Sequence, residues 1–171
     1  MNTIPNKKPG FFNFVIRELY TCFGLGLLPK APGTFGTLLG IPLYFLLILF
    51  FDLKIFILVT IIVFFLGWWL CMKAEKELGT HDDHRVVIDE VLGYLVTMVP
   101  FPALPVLPLA WLWGFFLFRF FDILKPGPVG YADRNIQGGF GVMFDDLLAG
   151  LFAWIVLFLA NYGYNHFFVL P

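Results

Sequence analysis

Charge is what this sequence is short of. Only 13% of its 171 residues are Asp, Glu, Lys or Arg, and 60% are hydrophobic; a soluble domain carries roughly 25% charged residues. The deficit excludes an ordinary solvated globule and predicts a membrane protein. Net charge is missing too. Eleven basic residues stand against twelve acidic ones, so there is no electrostatic case for a nucleic-acid partner. The two cysteines, Cys22 and Cys71, are far apart and make no disulfide framework. Neither is followed six positions later by the arginine of a cysteine phosphatase loop, since Leu28 and Glu77 stand there. The first ten residues are polar and contain Pro5 and Pro9, and no small-residue cleavage site follows a short apolar core, so no cleavable leader is expected. A DxDxT-like nucleophile motif and the paired His/Arg blocks of acid phosphatases are also absent.

What remains is apolar and aromatic, with 23 Phe and 5 Trp. The first ten residues read as a polar tail with Lys7 and Lys8. Residues 11–28 place apolar groups at helical spacing around Arg17 and Glu18, which predicts an interfacial amphipathic helix. Lys30 to Thr37 is a Pro/Gly turn with Thr34 as an N-cap. Residues 34–51 and 55–72 are uncharged apolar runs, each nearly long enough for a ~30 Å hydrocarbon core. The break at Asp52 and Lys54 is so short that the two runs should form an antiparallel hairpin, with Trp68 and Trp69 as interface anchors.

Residues 73–85 are the most polar part of the chain. A helix surfaces there and Gly79 ends it. Residues 86–99 turn apolar again, and Pro100, Pro102, Pro105 and Pro108 break the chain. Further spans are expected at 106–124 and about 142–162, with a Gly-rich loop over 127–141 between them. The expected fold is an all-α polytopic membrane bundle forming one domain over residues 1–171, with an N-terminal interfacial helix and about four to five membrane segments. Lysines and arginines fall almost wholly on one side if the N-terminus is cytoplasmic, the other side receiving only Lys54. That topology gathers the polar segments at the cytoplasmic interface.

Against this background residues 119–146 hold Arg119, Asp122, Lys125, Asp133, Arg134, Asp145 and Asp146. Ionisable groups near the bilayer centre cost roughly 2.5–3.5 kcal/mol each, and their default reading is a functional site. Asp89-Glu90 and Asp145-Asp146 each open an apolar helix. Helix-dipole stabilisation, internal ion pairing and an oxygen-rich site for Mg²⁺ or Mn²⁺ all fit these pairs. Arg119, Asp122 and Lys125 recur every three residues. They read either as an ion pair that lets both charges enter the membrane or as an anion site, with Arg119 the bidentate phosphate partner and Lys125 a point charge. Gly33-Thr34 and Gly138 to Gly141 precede helix starts, where free N–H groups bind anions. His81, Asp82, Asp83 and His84 lack cysteine partners and read as an exposed polar turn. Basic groups beside metal-binding acids are what a phosphate ester needs.

Five blocks stand in order: APGTFGT (31–37), VIDEVLG (87–93), FRFFDILKP (118–126), ADRNIQGG (132–139) and GVMFDDLLAG (141–150). Together they resemble the phosphatidylglycerophosphatase A family of bacterial membrane enzymes, over about residues 20–160. The resemblance implies an all-helical fold packed around a central helix. It implies Mg²⁺-dependent removal of the terminal phosphate of phosphatidylglycerophosphate, giving phosphatidylglycerol in phospholipid synthesis. It points to Asp89, Glu90, Asp145 and Asp146 as metal-site candidates, and to Arg119, Asp122, Lys125, Asp133 and Arg134 as polar groups around the phosphate. The candidate catalytic set is Asp89, Glu90, Asp122, Asp133, Asp145 and Asp146; Thr34, Arg119, Lys125 and Arg134 are the candidate substrate-binding set. A His-Asp pair before the DE block also belongs to the pattern, and His81-Asp82 fits it. The implied setting is the bacterial inner membrane with the active site facing the cytoplasm, the lipid and the bilayer being the partners and no obligatory protein partner being expected. The competing class is a small transporter or channel subunit, which needs its charges spread through membrane depth.

Overall fold

The computed structural model describes residues 10–99 and 107–169, and every regular element among them is a helix. These are α1 (Phe11–Tyr20), a short 3-10 turn (Leu25–Leu27), α2 (Pro32–Phe50), α3 (Leu53–Leu78), α4 (Ile88–Met98), α5 (Ala110–Leu124), α6 (Pro128–Asn135), α7 (Gly138–Tyr164) and a closing π-helical turn (Asn165–Val169). The expected tail with Lys7 and Lys8 and the breaks at Pro100, Pro102 and Pro105 lie outside the described residues.

Among the described residues, three helices are long and apolar enough to cross a membrane: α2, α3 and the helix beginning at Gly138. The chain is a membrane protein. Their outward faces are greasy, with Leu49, Phe50, Leu58, Phe65 and Leu159 all exposed. The expected segments at 86–99 and 106–124 are shorter. At about 1.5 Å per residue, α4 and α5, with 11 and 15 residues, fall short of a full crossing. Yet α4 is the centre of the bundle. Nine of its eleven residues are buried, and α2, α3, α5 and α7 pack around it.

Small residues allow these close crossings. Gly36 lies on Val87, Gly40 on the Tyr94 ring, and Gly150 on Gly93 and Val96. The Thr97 hydroxyl donates to the Gly93 carbonyl within α4 at 2.9 Å and reaches the Gly150 carbonyl on α7 at 3.3 Å. The adjacent runs α2 and α3 turn back on each other at Asp52, whose carboxylate caps α3 through the Ile55 N–H at 2.9 Å. Beyond that corner they part company: α2 packs chiefly on α4, and α3 on α7.

Four local expectations change. The interfacial helix stops at Tyr20, because Cys22 and Phe23 take positive φ and turn the chain. Thr34 does not cap α2. The helix starts at Pro32, whose ring suits the first helical position, so Thr34 lies inside the first turn. The Gly-rich loop expected over 127–141 is mostly helical. Pro128 starts α6, whose Val129, Gly130 and Ala132 are buried, and α7 begins at Gly138 rather than at 142. In the 80–86 turn His81, Asp82 and His84 are exposed as expected, but Asp83 is nearly buried and gripped by Arg85. Gly79 ends α3 with φ +72, as its position suggested.

Candidate active site

The N-terminal turn of α4 carries Asp89 and Glu90 into the bundle, where the third turn of α7 presents Asp146. One carboxylate oxygen from each lies within 4.8 Å of the others. Asp89 Oδ1, Glu90 Oε2 and Asp146 Oδ2 are buried with no hydrogen-bond partner. A buried carboxylate left unpaired is costly, so three together call for positive charge.

Part of it comes from α5. Arg119 Nη1 lies 2.6 Å from Asp122 Oδ2 and 3.8 Å from Glu90 Oε1. The Arg119–Asp122 pair is therefore real, and it also leans on the acidic cluster. Asp122 adjoins Asp146. The guanidinium still keeps a buried Nε without a hydrogen-bond partner. Gly33, in the first turn of α2, completes the wall. A methyl group there would run into the Glu90 carboxylate and crowd Arg119.

A second cluster sits alongside. Lys125, just past the end of α5 with φ +44, is hydrogen-bonded through Nζ to Asp133 on α6 and Asp145 on α7. The acidic pair at 145–146 is thus split: Asp146 faces the first cluster and Asp145 faces Lys125. Asp133 and Asp145 also line a small cleft with His81 and Asp82. Thr34 is half-buried beside Gly33 on α2, whereas Arg134 is exposed on α6. Counted together, six carboxylates (Asp89, Glu90, Asp122, Asp133, Asp145, Asp146) surround two cations, Arg119 and Lys125. That excess of hard oxygen donors, three of them orphaned and convergent, fits a divalent cation, and Asp89, Glu90 and Asp146 are the residues that could hold it.

Both cysteines are free and buried. Burial, reinforced by Asp89 and Glu90, pushes the Cys22 thiol up to about 12, and its Sγ donates to the Val87 carbonyl at 3.8 Å. Outside the clusters, the Asp83 carboxyl is held well below the usual carboxylate range, first by the Arg85 side chain, whose Nε and Nη2 each donate to it at 2.7 Å.

Two features escaped the sequence reading. Gly33 was read as part of an anion-binding helix start and not as a close packing point for Glu90 and Arg119, although the small residues at 33, 36, 37 and 40 repeat at the spacing of a close helix contact. The role of Lys125 as a clasp between α6 and α7 needed α6 itself, which the glycines around it disguised. The charges do not spread through the bundle as an ion path would require. Among the described residues, Asp52 and Lys54 stand at the opposite, α2–α3 end, and the clustered ones at the α4 and α7 starts.

Residues 19–161 match the family Phosphatidylglycerophosphatase A. The phosphatidylglycerophosphatase A of Haemophilus influenzae is 42% identical over 161 residues, covering 92% of this chain and 95% of that protein. Its namesake in Escherichia coli is 36% identical over 143 residues, covering 82% and 80%. A Bacteroides thetaiotaomicron protein provisionally named a phosphatidylinositol-3-phosphatase is 38% identical over 164 residues, covering 91% and 98%. No solved structure matches the chain. With a family match over most of its length and the acidic and basic residues of that match drawn together at one end of a helical membrane bundle, this chain belongs to the phosphatidylglycerophosphatase A family of phosphatases.

Proposed function

We propose that this protein is a Mg²⁺-dependent lipid phosphatase of the bacterial inner membrane. It hydrolyses the terminal phosphomonoester of phosphatidylglycerophosphate at the cytoplasmic face, releasing phosphatidylglycerol and inorganic phosphate. The observation that carries the reading is the trio of orphaned, converging carboxylates, Asp89, Glu90 and Asp146, with Arg119 beside it. Held by those three residues, Mg²⁺ supplies positive charge where the phosphate oxygens gather negative charge.

The chain's own groups do the rest. Arg119 has donors to spare and offers a planar fork to the phosphate. Asp122 holds that fork in place. The first turn of α2 brings Gly33 close enough for its N–H and the positive helix end to meet the same anion. Lys125 adds a second cation at the rim. Water makes the new P–O bond as the bond to the glycerol oxygen breaks. Its proton goes to one of the buried carboxylates, and the leaving oxygen takes up a proton in turn. The exposed apolar residues near the end of α5, Phe120, Ile123 and Leu124, keep the acyl chains in the bilayer while the headgroup reaches the carboxylates.

The excess of lysine and arginine at this end supports the cytoplasmic orientation. Phosphate release from phosphatidylglycerophosphate in detergent, with Mg²⁺ or with excess chelator, tests the reading. Release should need the metal and fall roughly 10²–10³-fold or more in Arg119→Ala, the scale of losing a charge-stabilising donor. No release from folded, Mg²⁺-supplied protein would sink it, and ion flux in liposomes would then be measured.

A further inference from the structure

Away from the carboxylates, a cavity of about 300 Å³ opens between α1 and the polar end of α3, lined by Asn13, Ile16, Lys73, Lys76 and Glu77. We infer that this groove seats the headgroup of an anionic glycerophospholipid from the surrounding bilayer, as a second lipid site apart from the reaction centre.

Depth is the first argument. Trp residues favour the headgroup level, and Trp69 lies on α3 just before the groove. The Lys73 ammonium sits over the Trp69 ring at 5.6 Å, which fixes this lysine at the membrane surface. Lys76 follows three residues further along α3, and both lysines are exposed.

Charge is the second. Two lysines and Glu77 leave one positive charge, which a phosphodiester monoanion balances. Asn13 and Glu77 offer hydrogen-bonding partners to headgroup hydroxyls. Arg17, one turn beyond Asn13, brings a guanidinium whose nearest carboxylate, Glu18, stands at 3.9 Å and cancels it.

The third is the covering helix. While α1 buries Ile16 and Tyr20 against the bundle, it leaves Phe11, Phe12, Phe14 and Val15 exposed. An in-plane helix with such a face lies among acyl chains, so the groove beneath it opens where a lipid already is. The covering helix is itself tied to the centre of the bundle: the Tyr20 carbonyl at the end of α1 accepts the Val87 N–H at 2.9 Å, just before α4.

Direct binding tests the inference without relying on turnover. The full chain is incubated with phosphatidylglycerol or phosphatidylethanolamine in equal amounts, and retained lipid is counted by native mass spectrometry. The wild type should keep phosphatidylglycerol preferentially. A lysine near an anionic surface is worth about fivefold in binding, so Lys73→Gln with Lys76→Gln should weaken retention at least about tenfold. Arg119→Ala, which alters the reaction centre, should leave this lipid bound. Equal retention by wild type and the lysine double variant would overturn the inference. So would a lipid lost in Arg119→Ala but kept in the double variant, since it would then belong to the active site. Equal retention of both lipids by the wild type would overturn its anionic character.

Discussion

The two charged clusters at the start of α4 and α7 are neighbours with opposite characters. Around Lys125 the charges close on themselves: one ammonium is shared by Asp133 and Asp145, and three segments are tied together. Around Asp89, Glu90 and Asp146 the charges stay open, with three carboxylate oxygens and part of the Arg119 guanidinium unanswered. A closed cluster is a fastening. An open one is held in readiness for something that arrives. On the function proposed above, the open cluster works on the substrate, while the closed one holds the bundle and lends Lys125 to the rim, even though the two acids Asp145 and Asp146 are adjacent in the chain.

The largest effect should come from closing the open cluster. Asp146→Asn removes one buried, unpaired carboxylate. Phosphate release should fall about 10³-fold or more, in line with loss of a central member of a catalytic charge cluster, while thermal unfolding stays unchanged or shifts upward because a repulsive buried charge is gone. If unfolding moved down as far as activity did, Asp146 would be a structural residue and the contrast would fail.

The mirror experiment opens the closed cluster. Lys125→Met leaves Asp133 and Asp145 facing each other without a cation and should cost about 2–4 kcal/mol of stability, below a fully buried pair because the lysine is partly exposed. Chemical or thermal denaturation in detergent reads this directly. Adding Asp145→Asn should restore part of the loss, as expected for coupled neighbours.

Smaller is the effect of Gly33→Ala. It adds one methyl group where the Glu90 carboxylate already lies. Activity should drop about tenfold through displacement of Glu90 and Arg119, with only a modest change in stability; an unchanged rate would show that α2 does not press on the open cluster.

Smallest is the turn at 80–86. The Asp83 carboxyl is held low by Arg85, so its stabilisation is present above the ordinary carboxylate range and is lost as pH falls through the depressed folded value. Asp83→Asn should cost about 1–2 kcal/mol near neutral pH. The gap to wild type should shrink only in strongly acidic solution. A gap that stays constant down to low pH would mean the pair contributes packing rather than charge.

Much of this contrast was legible beforehand, though not all. The spans at 34–51 and 55–72 follow from uncharged apolar length, and the gathering of polar blocks at one end follows from topology alone. The ion pair of Arg119 with Asp122 was one of two readings of their three-residue spacing, and the structure contains it. Spacing could not divide Asp145 from Asp146, because adjacent residues on a helix point about 100° apart and only the neighbouring helices decide what each one meets. Nor could it find α6, whose Gly130 and neighbouring Gly127 read as loop chemistry; Gly130 is small because the Lys125 carbonyl lies against it. The shortness of α4 was hidden as well, since burial on all sides, rather than length, makes it the centre.

That shortness has a topographic consequence. Eleven helical residues cover about 16 Å, roughly half of a ~30 Å hydrocarbon core, and the carboxylates sit at the outer end of that half. On the function proposed above, such a centre reads one leaflet. A phosphorylated lipid in the other leaflet would have its headgroup a whole membrane away and would stay untouched until it crosses. Where such a lipid is made on the wrong side, the pace of its dephosphorylation belongs to whatever carries it over.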